Sequence, residues 1–138
     1  RYMEAPNKEH WAAVKHILRY LKVTASYGCK YVRGTDLKPK LTGFSDSDFA
    51  GDVEDRKSTT SVIFFLGNNL ITWVSQKQKI FTLSSCEAEY VAAAAAACQG
   101  VWLCRLIGDL IGKELAPVKM LMDNMSAIAL SKNPVHHE

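Results

Sequence analysis

Apolar residues along this chain fall into two patterns, one recurring every three to four positions and one gathered in short strand-like runs. The first rhythm opens at residues 7–22. There Trp11, Val14, Leu18 and Leu21 fall on one side of a helix that Asn7 can cap. Lys8, Lys15, Arg19 and Lys22 make a second, basic stripe. It reads as a solvated face, with contact to phosphates as the functional alternative. Residues 27–32 predict a short strand, and residues 34–39 a turn or linker that is the best candidate for a boundary. Three strand-like runs follow, at 41–45, 61–66 and 70–75. A polar loop, 51–60, separates the first two, and Gly67-Asn68-Asn69 turns the last two into a hairpin.

The helical rhythm returns at about 85–111. Ser84 followed by Glu87 fits a capping box at its start, and Gly112 and Pro117 mark its end. Residues 118–122 predict another strand. Residues 124–132 predict a short helix, stopped by Asn133-Pro134. Short links make the first three strands antiparallel. A crossover helix lets the fourth lie parallel to the first. The expected fold is α/β, a mixed sheet flanked by helices.

Composition fits one globular domain: 138 residues, 48% hydrophobic and 22% charged. No apolar run is expected to reach the roughly 20 residues that span a membrane. Glu4, Lys8, Glu9 and His10 interrupt any signal-peptide pattern. Net charge is +3, which permits a polyanionic partner without demanding one. The distribution says more. Asp46, Asp48, Asp52, Glu54 and Asp55 crowd together after a basic first forty residues, and need a cation or a solvated loop to relieve them. Cys29, Cys86, Cys98 and Cys104 show no metal spacing and read as reduced thiols packed as small hydrophobes.

Three acids fall near element ends. Asp46 ends the first strand run and Asp123 the fourth, so both approach the carboxyl edge of the sheet, where open α/β folds bind ligands. Glu89 lies in the first two turns of the long helix and can lean over the same place. Taken singly, each has an ordinary explanation: Asp123 as the cap of the next helix, Asp46 or Asp48 as turn residues. Glu87 is explained by capping, which leaves Glu89 unexplained. Converging carboxylates call for a hard cation, Mg²⁺ or Mn²⁺, and two such ions can activate water and stabilise a leaving oxygen at phosphate. A calcium loop starting at Asp46 fails, because Ala50 and Lys57 stand where oxygen ligands are needed. Asp46-x-Asp48 alone is too short a pattern for an aspartyl-phosphate phosphatase, and the hairpin after it does not suit a doubly wound fold.

The runs Gly43-Phe44-Ser45-Asp46-Ser47-Asp48-Phe49-Ala50-Gly51-Asp52, Asp55-Arg56-Lys57-Ser58-Thr59, Leu83-Ser84-Ser85-Cys86-Glu87-Ala88-Glu89-Tyr90, Asp123-Asn124-Met125-Ser126-Ala127 and Lys132-Asn133-Pro134 occur in that order. Together they resemble the ribonuclease H domain of Ty1/copia-type retrotransposon Pol polyproteins. His10-Trp11 and Ile17-Leu18-Arg19-Tyr20-Leu21-Lys22 resemble the helix joining reverse transcriptase to that domain. Thr60-Ser61 stands where the family usually has Ser-Gly.

The resemblance implies an RNase H-like sheet. It divides the chain into a helical connection with a short strand (1–34) and an RNase H-like domain (35–138). It implies endonucleolytic cleavage of the RNA strand of RNA–DNA hybrids during reverse transcription, with Mg²⁺ or Mn²⁺ held by Asp46, Glu89 and Asp123. Arg56, Lys57, Lys77 and Lys79 become candidate nucleic-acid contacts; otherwise they are solubilising surface charges. Trp73 and Trp102 are expected in the core. The family also has a fourth aspartate on a final strand, followed by a last helix. These are expected to be missing here, because the sequence stops at His136-His137-Glu138. The alternative expectation is therefore a catalytically inactive, host-adopted remnant that binds another protein or itself through an open sheet edge. The implied partners are the hybrid and the reverse transcriptase portion of the same polyprotein, with no membrane. The implied setting is intracellular, in cytoplasmic virus-like particles or the nucleus.

Overall fold

A computed structural model describes residues 2–34 and 40–133. Most of the expected linker, Pro134 and the His136-His137-Glu138 end lie outside the described residues. The chain forms two compact units, Arg1–Lys30 and Tyr31–Glu138.

The first unit is built on α1 (Lys8–Val23). Asn7 caps it as expected: its Oδ1 accepts from the His10 N–H at 2.9 Å, and His10 Nδ1 accepts in return from the Asn7 N–H at 3.1 Å. The Tyr2 ring stacks on His10, and Lys15 lies 5.5 Å from the centre of the Trp11 ring. The apolar stripe forms, yet none of the helix's residues is buried.

In the second unit, β1 (Leu41–Asp48), β2 (Thr59–Leu66), β3 (Asn69–Lys77) and β4 (Lys119–Leu121) make one sheet in the order β3-β2-β1-β4. β1–β2 and β2–β3 are antiparallel, and β1–β4 is parallel. The three antiparallel strands outrun the apolar pattern because their polar ends pair: Asp46 with Ser61, Ser47 with Thr60 and Asp48 with Thr59. The hairpin turn is the two residues Gly67-Asn68. Its positive φ of 59° at the first position is one that glycine adopts freely.

The strand expected at 27–32 does not form. Instead the Asn69 side chain imitates a strand neighbour for Val32, accepting from its N–H at 2.8 Å and donating to its carbonyl at 2.9 Å. One side-chain amide satisfies one residue's backbone and cannot extend a ladder.

β1 and β2 alternate buried and half-exposed positions, and their buried side faces α2 (Ser85–Ile111). The core joins Leu41, Val62 and Phe64 to Ala96, Leu103 and Ile107. Small residues let the helix lie close to the sheet. A Cβ on Gly100 would sit 2.9 Å from Val118 Cγ1, and one on Gly43 would sit 2.5 Å from Phe64 Cε1. Contrary to expectation, α2 is by length and composition apolar enough to cross a membrane. No unbroken apolar run in it is long, but few charges interrupt it. Its inner stripe packs on the sheet and includes Glu89.

Two further expectations are corrected. Trp73 is 64% exposed and Trp102 54%. Trp73 pairs with Ile63 on the sheet face away from α2, and Trp102 lies outside the helix's buried stripe. The four cysteines are free, but Cys29 and Cys98 are exposed rather than packed.

Candidate metal centre

The parallel pairing of β1 with β4 sets Phe44 beside Leu121. Two residues beyond this pair in sequence stand Asp46, still in β1, and Asp123, just past β4. The register thus brings both to the same end of the sheet, where their carboxylates meet. Asp46 lies inside β1 rather than at its end, and Asp123 follows β4. Asp123 is free of the capping role: Asn124 caps α3 (Met125–Lys132) through Oδ1, accepting from the Ala127 N–H at 2.9 Å.

The start of α2 brings in the third acid. Ser84 Oγ accepts from the Glu87 N–H at 3.1 Å. Glu87 turns back as expected, but its Oε2 accepts from the Leu83 N–H at 2.6 Å, one residue before the cap. Glu87 is thereby used up in the helix start, and Glu89 lies further round, on the buried stripe. Asp46, Glu89 and Asp123 each offer a carboxylate oxygen within 4.8 Å of the others.

Glu89 is 6% exposed, while Asp46 and Asp123 are open to solvent. Glu89 Oε1 accepts from the Ser47 N–H at 3.1 Å, and among the described residues Oε2 is buried with no hydrogen-bond partner. Burial pushes the Glu89 carboxyl above its ordinary value. The Ser47 N–H opposes this, while the charges of Asp46 and Asp123 add to it. A buried oxygen without a donor normally has an explanation. Three clustered carboxylates with no nitrogen or sulfur ligand suit a hard dication such as Mg²⁺ or Mn²⁺.

The acidic knot resolves into two groups. Asp46 belongs to the trio. Asp52 and Asp55 are bound by Lys77 Nζ, with 3.1 Å to Asp55 Oδ1, so the relieving cation is a lysine. Lys77, then the N–H groups of Asp55 and Glu54, hold the Asp52 carboxyl well below the usual carboxylate range. Asp52 in turn pushes Lys77 up. Asp48 accepts from the Thr59 N–H and fills the space a side chain on Gly51 would need.

The basic candidates do not converge on one task. Lys77 serves the loop, and Lys57 Nζ lies 5.1 Å from the centre of the Phe81 ring. Arg56 takes a positive φ of 52° in the loop, and Lys79 is exposed beyond β3. Sequence reasoning missed Ser47, whose contribution is a backbone N–H and leaves no side-chain signal.

No family model matches the chain, and no solved structure matches it. Curated proteins do. A retrovirus-related Pol polyprotein from transposon TNT 1-94 of Nicotiana tabacum is 43% identical over 137 residues, 99% of this chain and 10% of the polyprotein. One from transposon RE2 of Arabidopsis thaliana is 41% identical over 138 residues, 99% of this chain and 9% of the polyprotein. Secreted RxLR effector protein 161 of Plasmopara viticola is 44% identical over 104 residues, 75% of this chain and 71% of that protein. The chain thus spans about a tenth of the length of the two polyproteins.

Proposed function

From the likeness of 99% of this chain to segments of the retrovirus-related Pol polyproteins of plant transposons, we propose that it is a metal-dependent endonuclease of the ribonuclease H type, hydrolysing the RNA strand of RNA–DNA hybrids during reverse transcription. The observation that carries this reading is the meeting of Asp46, Glu89 and Asp123 from three separate elements, with a buried Glu89 oxygen lacking any partner. Mg²⁺ or Mn²⁺ bound by these three would supply Lewis acidity at the phosphate and offset the crowded negative charge.

The chain's own residues divide the remaining work. Glu89 is buried and oriented by the Ser47 N–H. Asp46 and Asp123 are exposed, leaving an approach for a phosphate. Arg56, Lys57 and Lys79 are the candidate backbone contacts, with Lys77 committed to the loop. Shape and the 2′-hydroxyl would distinguish the hybrid from duplex DNA. On this reading the partners are the hybrid and the reverse transcriptase portion of the polyprotein, in an intracellular setting.

The test is cleavage of an end-labelled RNA–DNA hybrid with Mg²⁺. The expected result is RNA-strand cuts that EDTA abolishes. Asp46→Asn is expected to slow cleavage at least about a hundredfold, since a metal supplies several kcal/mol and each 1.36 kcal/mol is tenfold. Equal cleavage by Asp46→Asn would sink the proposal.

One observation favours a second reading, a non-catalytic interaction module. The sheet face away from α2 leaves Phe44 and Trp73 exposed. Exposed apolar patches of this kind mark binding surfaces. A chain that cuts no hybrid yet self-associates in light scattering, with Trp73→Ser restoring the monomer, would replace the first reading by the second.

A further inference from the structure

Gln78 follows β3 and is 6% exposed. Its backbone N–H donates to the Ser58 carbonyl at 2.8 Å, which anchors it below the start of β2. Its side-chain nitrogen reaches three acceptors on three elements: Ser47 Oγ of β1 at 3.3 Å, Thr60 Oγ1 of β2 at 3.0 Å and the Ala88 carbonyl of α2 at 3.0 Å. The amide orientation is fixed by chemistry. A carbonyl such as Ala88's can only accept, so nitrogen, not oxygen, must face it. Two amide hydrogens serve three acceptors, so the long contact to Ser47 shares one of them.

These attachment points bracket Glu89. Ala88 precedes it on α2, and Ser47 supplies the N–H that its Oε1 accepts. Gln78 therefore ties the donor's residue to the acceptor's helix turn. A buried glutamine with an unpartnered oxygen, Oε1, is costly unless its nitrogen does something an apolar side chain cannot. Core packing alone would be served by leucine or methionine.

We propose that Gln78 is a positioning residue for Glu89, holding the end of β1 and the first turn of α2 at the separation that lets Glu89 face Asp46 and Asp123. The inference rests on the carboxylate trio being the working site. Its own evidence is the three-way hydrogen bonding.

The test compares wild type with Gln78→Met, which keeps length and bulk but donates nothing. Hydrogen exchange at the Ser47 amide is read against the Phe64 amide, without metal. Mg²⁺ binding is measured by calorimetry. The expected result is a selective loss of protection at Ser47, about tenfold or more, with Phe64 unchanged. Mg²⁺ affinity is expected to fall roughly 10- to 100-fold, as when a residue supporting a metal ligand is lost. Unchanged Ser47 exchange, or an equal loss at Ser47 and Phe64, overturns the proposal. A wild type that binds no Mg²⁺ overturns the metal reading, and Ser47 exchange then decides the role of Gln78 alone. If Gln78→Met fails to fold, Ser47→Ala carries the same test at smaller amplitude. It deletes one acceptor and keeps the N–H that Glu89 uses.

Discussion

Burial at the start of α2, reinforced by Asp46 and Asp123, raises the carboxyl of Glu89 above its ordinary value. The folded state thus binds this proton more tightly than the unfolded chain does. The stability Glu89 confers is fully present below the unfolded value and is lost as pH rises through the folded one. Glu89→Gln keeps an oxygen for the Ser47 N–H and removes the charge. In EDTA it should melt a few degrees above wild type at pH 7.5, with the gap closing toward pH 4. A calorimetric scan at the two pH values checks this. Equal melting temperatures at pH 7.5 would mean the carboxylate is not destabilised. Asp52 has the opposite sign. Its lowered carboxyl contributes stability above the unfolded value that disappears as pH falls through the folded one. Single residues were legible where their neighbours left few choices. Glu87 was excluded by its spacing from Ser84, and Asn124 in fact does the capping that Asp123 was a candidate for. Gln78 was not legible. In Gln76-Lys77-Gln78-Lys79 it looks like surface, and only the fold shows that it is buried.

Elements formed where periodicity and stop signals agreed. α2 runs from the Ser84 cap to Gly112, whose φ of 64° closes the helix as a left-handed C-cap. Ser84→Ala should cost about 1 kcal/mol, read as a shifted denaturant midpoint, because the Glu87 N–H loses its acceptor. Gly100→Ala should cost roughly 1–3 kcal/mol by forcing α2 off Val118, although alanine is the better helix former. A stabilised Gly100→Ala protein would mean that α2 and the segment before β4 are not so closely packed. Strand ends were less legible. The pattern stops at the last apolar residue, whereas backbone pairing continues through Asp46, Ser47 and Asp48. The apolar run at 27–32 had the composition of a strand but only an asparagine side chain to pair with. Trp73 and Trp102 were misplaced because hydrophobicity reports what can be buried, and among the described residues these two positions have no neighbour that buries them.

For the molecule as a whole, the mixed sheet and its helices followed from the order of elements, and the trio followed from the parallel return of β4. The net charge of +3 hides an internal settlement, in which Lys77 is spent on Asp52 and Asp55. On the proposed function, hybrid binding should therefore depend on salt through few residues. Lys79→Ala should weaken binding at low salt and reduce the salt slope by about one. Lys77→Ala should instead lower the melting temperature by loosening the 51–57 loop. Fluorescence anisotropy over a salt series, beside a melting curve, separates the two.

The strand order also sets a schedule. β1, β2 and β3 are joined by short connections and need only one another, so the antiparallel meander can close early. α2 comes next along the chain and finds its landing surface already made. The β1–β4 pairing joins the strands farthest apart in sequence, and that closure costs the most chain entropy in the sheet. Asp46 and Glu89 can thus be in place first, and Asp123 joins last. The third negative charge comes with the longest-range pairing of the sheet, so a dication bound there would act on the closing of that pairing as well as on the finished site.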